Sequence, residues 1–181
     1  METMTIILVI GAVLVGWGIM AYNRFVKLVN MVKESWSGID VQLKRRFNLI
    51  PNLIETVKGY AKHEAETLEA LTKMRTGTED VHERGAEEGQ ISKAIQDLLV
   101  VVENYPDLKA SETFLSLQRD LNEIETEIQM ARRYYNGTVR DLNIQVESFP
   151  SNLIANIFNF NSAEFFEIEF TEQRQVPKVE F

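Results

Sequence analysis

Two histidines, each followed by a glutamate, are the residues best suited to acid–base or metal chemistry: His63-Glu64 and His82-Glu83. On a helix, His-Glu is half of a zinc-hydrolase pattern that needs a second histidine four positions after the first, but Thr67 stands there. His82 lies in a charge-rich stretch with no matching spacing. With no cysteine, thiolate chemistry, disulfides and Cys-based zinc sites are excluded. No Gly-x-Ser-x-Gly elbow occurs, and the glycines at 11, 16 and 18 sit in an apolar run, not in a phosphate-cradling loop. Arg132-Arg133 and Tyr134-Tyr135 read as the flank and seam of a helix. The pattern therefore predicts no enzyme and no catalytic, cofactor-binding or metal-binding residue. A hydrolase site at His63 and Glu64 stays open to a test by loss of turnover on mutation. The remaining chemical candidate is "KRRFNLIP", residues 44–51, whose three cations suggest a patch for nucleic acid or lipid.

What must position these residues is set by bulk composition. The 181 residues are 45% apolar, enough for one packed domain with an appendage, and a net charge of -8 argues against nucleic-acid binding. From Thr3 to Asn23 run 21 uncharged residues, about 30 Å of helix, matching the hydrocarbon core of a bilayer. A cleaved signal peptide wants leading cations and a small-x-small cleavage site, whereas here Glu2 leads and "GIMAYNRF" follows. Residues 1–23 are thus expected to be a retained anchor. Trp17 and Tyr22 suit the membrane interface. Ala12 and Gly16 form a small-xxx-small pair that lets two anchors approach. Arg24, Lys27 and Lys33 follow the span, so the positive-inside rule puts the N-terminus outside and the rest in the cytoplasm.

Beyond the anchor, apolar residues recur every three or four positions: Phe25, Val29, Val32, Trp36, Ile39, Leu43, Phe47, Ile50, Ile54, Val57 and Ala61. This predicts one long helix that fades near Met74, with Gly77 as its cap. "RTGTEDVHERGAEEG" (75–89) reads as a solvated loop. A second helix is expected from about Glu87 to Tyr105, with Ile91, Ile95, Leu98 and Val102 on one face and Pro106 at its end. A third should start after Ser111 and carry two heptad series. One is Phe114, Leu121, Ile128, Tyr135, Leu142 and Phe149; the other is Leu117, Ile124, Ala131, Thr138 and Gln145. Pro150 stops it, and "SNLIANIFNF" makes a short fourth helix. Long first and third helices, of roughly 50 and 38 residues, cannot bury their own stripes. The expected fold is all-α: a transmembrane helix, then an elongated antiparallel bundle over residues 24–160, with an oligomeric coiled coil as the alternative.

That geometry scatters the cations of "KRRFNLIP". Relative to Leu43 on the seam, Lys44, Arg45 and Arg46 point near 100°, 200° and 300° around the axis. Pairing with the acid-rich third helix (Glu123, Glu125, Glu127) is expected. The seam keeps its spacing across Pro51, which predicts a kinked but continuous helix, although Asn48 offers a cap for a restart.

"WSGIDVQLKRRFNLIPNLIETVKGYAKHE" (36–64) and "ARRYYNGTVRDLNIQVESFPSNLIANIFNF" (131–160) resemble the LemA family of bacterial membrane-anchored proteins. The resemblance covers nearly the whole chain, including the anchor. It implies one N-terminal transmembrane helix, a cytoplasmic helical bundle and no established enzymatic activity. One departure is Gly137, where the family pattern has alanine. Asn136-Gly137-Thr138 matches a glycosylation sequon that a cytoplasmic bacterial helix would not use.

The last segment, 161–181, reads as an extended tail. In "FFEIEF" apolar and acidic residues alternate, the period of a strand. It is expected to pair with itself, lie along the bundle or add to a partner's sheet, and the terminal Val179 and Phe181 are candidate docking residues. The whole predicts a single-pass protein of the bacterial cell membrane, a scaffold or interaction module that self-associates and holds an unidentified protein partner. The alternative is a membrane-organising protein whose residues 24–46 contact anionic lipid.

Overall fold

The computed structural model describes residues 2–60 and 81–167. Among these the chain is helical, with no strand: α1 (Glu2–Lys58), α2 (Val81–Val102), α3 (Pro106–Lys109), α4 (Glu112–Glu147) and α5 (Ser151–Phe158). The described residues fall into two compact units. The first draws on Met1–Gly38 and Arg133–Glu164, the second on Ile39–Arg132 and Phe165–Phe181. α1 and α4 each contribute to both units.

α1 passes through Pro51 without a break, so no new helix starts at Asn48. Pro51 and Phe47 are both exposed, which leaves the carbonyl orphaned by proline on the solvated side of the helix. In the first unit α1 and α4 run antiparallel. Ser35 Oγ lies 2.9 Å from Thr138 Oγ1, and the Trp36 and Tyr135 rings are 5.4 Å apart. Phe25 and Leu28 of α1 pack with Leu142 of α4 and Ala155 of α5.

In the second unit Ile50, Leu53, Ile54 and Val57 of α1 meet Ile91, Ile95, Leu98 and Val102 of α2, with Leu108, Phe114 and Leu121 closing the core. Here α2 lies parallel to α1: Asp40 pairs with Arg84, and Arg46 with Glu88 and Ser92, residue numbers rising together.

The buried stripe of α4 follows its heptads through Phe114, Leu117, Leu121, Ile124, Ile128, Tyr135, Thr138 and Leu142. Phe149 departs from them. It is 80% exposed, because the helix ends at Glu147 before the next seam position is reached. Pro106 opens α3 instead of closing α2, since a proline needs no hydrogen bond in a helix's first turn. The expected loop at 75–89 is helical from Val81 onward; Arg84 and Glu88 are buried as a pair, while Glu83 stays exposed. The end of the first helix near Met74, Gly77 and His63-Glu64 lie outside the described residues.

Asn136-Gly137 sits inside α4, and a Cβ on Gly137 would meet nothing within 4 Å. Gly137→Ala should therefore stabilise the chain by about 0.5–1 kcal/mol through reduced unfolded-state entropy. Thermal unfolding followed by circular dichroism should show a small upward shift in Tm.

Candidate functional site

In the first unit the C-terminal end of the apolar stretch meets α5. The Tyr22 ring stands edge-on to Phe158 at 4.8 Å, and Phe25 stacks on Phe160 at 4.8 Å and 11°. Asn159 makes the second contact possible. It adopts a left-handed conformation (φ 57°) that ends α5, and the Phe160 N–H donates back to the Ala155 carbonyl at 2.9 Å. Val15, Gly18, Ile19 and Tyr22 of α1 and Ile154 and Phe158 of α5 line an open cavity of about 360 Å³.

Trp17 and Arg24, both expected at the membrane interface, face a second cleft with Gln145, Pro150 and Ser151, where the Ser151 hydroxyl donates to the Gln145 carbonyl at 2.7 Å. Lys27 is exposed. The structure thus sets Trp17 and Arg24 beside the start of α5 and Tyr22 against its end, a neighbour that periodicity along α1 alone cannot reveal.

The segment after α5 is held to α4. Asn143 clamps the Ala163 peptide, its amide donating to the carbonyl at 3.0 Å and its oxygen accepting from the N–H at 2.9 Å. The Tyr135 hydroxyl donates to the Glu164 carbonyl at 2.9 Å. Burial, with a lesser contribution from the Glu164 carboxylate, pushes the Tyr135 phenol above its ordinary range. Its folded pKa is raised, so the stability tied to the protonated phenol is complete below about pH 10 and is lost as pH climbs through the raised value. Tyr135→Phe should lose less stability than the parent chain in strongly alkaline buffer, measured by thermal unfolding against pH.

The second unit holds a constellation that sequence reading found only in part. Arg46 is 2% exposed and occupies a seam position of α1 where the apolar pattern suggests its neighbour Phe47, itself 39% exposed. Its guanidinium forms an ion pair with Glu88, itself buried, and donates to Ser92 Oγ at 2.7 Å and Glu125 at 3.0 Å. Arg84, also buried, reaches Asp40 at 3.2 Å and Glu88 at 3.2 Å. Lys44 closes the set on Asp40 at 2.6 Å.

Three cations thus face three carboxylates, and the cluster is neutral. A buried charge survives only with such pairing. The expected partner Glu125 is present, but Glu88, from the segment read as a loop, is the deeper one. Arg45 donates to Gln42 at 3.0 Å. All three cations of "KRRFNLIP" are therefore engaged within the chain. The arrangement links α1, α2 and α4 through paired charges.

Phe166 is fully buried in this unit, and the Glu167 carbonyl lies where a Cβ on Gly85 would stand. So the described start of "FFEIEF" lies along helices of the unit, as one of the expected arrangements had it. Val179 and Phe181 lie outside the described residues.

The LemA family matches residues 35–181, a span that begins on α1 beyond the apolar stretch. Two magnetosome proteins of Paramagnetospirillum magneticum, MamQ 1 and MamQ 2, are each 26% identical over 178 residues, covering 82% of this chain. The chain spans 65% of the length of each. Protein LemA of Metamycoplasma hominis is 24% identical over 162 residues, covering 87% of this chain and 74% of its own length.

Proposed function

The chain belongs to the LemA family, and on that premise we propose that it is a membrane-tethered, non-catalytic helical scaffold that self-associates and binds a protein partner at the cell membrane. The observation that carries the reading is α1 itself, one helix of 57 residues whose first part is long and apolar enough to cross a bilayer and whose second part builds a packed core. The tether runs unbroken into the first core helix and so links that core to the bilayer. The neutral cluster around Arg46 suits the same role, since it fixes helix register. The magnetosome relatives' names give a location and no reaction, which sits with a scaffold.

Arg24, Lys27 and Lys33 follow the span, and by the positive-inside rule they support a reading with the N-terminus outside and the helices in the cytoplasm. Protease added outside intact cells should then leave the helices uncut. Photo-crosslinkers placed on exposed helix positions in living cells test the scaffold. Discrete protein adducts are expected, and adducts to lipid alone at every position would overturn it.

A further inference from the structure

Sixteen residues from Ser148 to Ala163 carry no charge, although Glu147 and Glu164 bracket them. Within this stretch Phe149 is 80% exposed, Leu153 51%, Ile157 68% and Phe158 52%. Phe149, Leu153 and Ile157 are spaced by four, and within α5 that spacing puts Leu153 and Ile157 on one stripe. The opposite side of α5 is used by the fold: Ser151 and Ala155 are buried. A surface helix of a soluble core shows the reverse, with its apolar side inward and its polar side in water.

The position of α5 along α1 explains the inversion. Ile154 Cδ1 lies 3.9 Å from where a Cβ on Gly18 would stand, and Val15 and Ile19 share a cavity with Ile154 and Phe158. Gly18 precedes Arg24, the first charge after the span, by six residues, or about 9 Å along the axis. Interfacial amphipathic helices bury their apolar face ~5–10 Å into the headgroup–acyl boundary.

We infer that α5 and Phe149 are themselves a membrane-inserted element, lying in the bilayer leaflet at the Arg24 end of the span with Leu153 and Ile157 against acyl chains. The occupant of the exposed stripe is lipid. Ile154 and Phe158 of the same helix share with Val15, Gly18, Ile19 and the Tyr22 ring of the anchor a cavity whose accessible lining is apolar. Asparagine and serine are the polar residues of the segment, so nothing charged has to leave water. This rests on reading residues 3–23 as a transmembrane anchor.

The absence of cysteine makes the test direct. Single substitutions Leu153→Cys and Ile157→Cys in the full-length chain, spin-labelled and reconstituted in phosphatidylethanolamine–phosphatidylglycerol vesicles, report depth through relaxation by oxygen against a water-soluble nickel chelate. Val9→Cys serves as the reference in the span. Tyr134→Cys is the aqueous reference: Tyr134 is exposed, and its neighbour Tyr135 packs on Trp36, roughly 18 Å past Arg24 along α1. Labels at 153 and 157 should favour oxygen several-fold over the label at 134 and group with the label at 9.

If 153 and 157 group with 134 while 9 stays lipid-like, the insertion of α5 is refuted and the anchor stands. If 9 also favours the nickel chelate, the anchor reading fails and this inference falls with it. Dipolar broadening at 153 and 157 that disappears on dilution with unlabelled chain would overturn the lipid occupant in favour of a second copy.

Discussion

Replacing Arg46 with alanine should lower the Tm of the full-length chain by roughly 6–20 °C, corresponding to about 3–5 kcal/mol for breaking a buried ion pair in a protein of this size. The loss does not come from a missing attraction alone. Glu88 would keep Arg84 but lose its deepest partner, and Ser92 would face a cavity where the guanidinium stood. Glu88→Ala should cost a comparable amount, since it strips a carboxylate from Arg46 and Arg84 together. The double variant should cost clearly less than the sum, because both single changes break the same contact. Screening by salt should matter little at this depth, unlike at the exposed Lys44–Asp40 pair. A loss of under about 1 kcal/mol for Arg46→Ala would mean that the cluster is solvated, and the register role would be abandoned.

Phe166→Ala should destabilise the chain by roughly 3–5 kcal/mol, the usual cost of deleting a buried phenylalanine ring. Gly85→Ala should act on the same contact from the other side. A Cβ there collides with the Glu167 carbonyl and lies 3.7 Å from Phe166 Cε2, so the backbone of 166–167 has to move. Both variants should expose the segment after Glu164 to limited proteolysis, and their effects should not add. Gly85→Ala and Gly137→Ala make the same chemical change in helices yet are expected to have opposite signs. The difference is what a methyl group meets: a carbonyl in one case, open space in the other. If Gly85→Ala proved as benign as Gly137→Ala, the packing of Phe166 against α2 would be refuted.

Period and composition alone carried much of this fold. The apolar span, the unbroken passage through Pro51, the buried face of α2 and nearly all of the α4 seam follow from spacing that the core then uses. Two seam positions did not. At 35–36 and 46–47 the apolar residue, Trp36 or Phe47, stands next to the polar residue that is buried, Ser35 or Arg46. A step of three and a step of four are equally helical, so pattern matching selects the hydrophobic neighbour. What decides otherwise is distant in the chain. Thr138 meets Ser35, and Glu88 and Glu125 meet Arg46, partners a local window does not contain. The stretch from Val81 misled for the same reason: charges that look solvated in isolation become helical once they have counter-charges to meet. Phe149 shows the limit in reverse, since a heptad can be counted past the point where the helix stops.

The continuity of α1 also sets an azimuth. Phe25 is locked between Leu142 and Phe160, so this packing fixes the rotational phase of every residue before it in α1. At 100° per residue, Gly18 lies within about 20° of Phe25, on the side where Ile154 approaches. Gly16 lies about 180° away and Ala12 about 140° away. A Cβ on Gly16 would meet nothing within 4 Å. The small-residue face of the anchor thus looks away from α5. Two anchors meeting through Ala12 and Gly16 would leave α5 uncovered, so pairing in the membrane and insertion of the short helix use opposite sides of one rod.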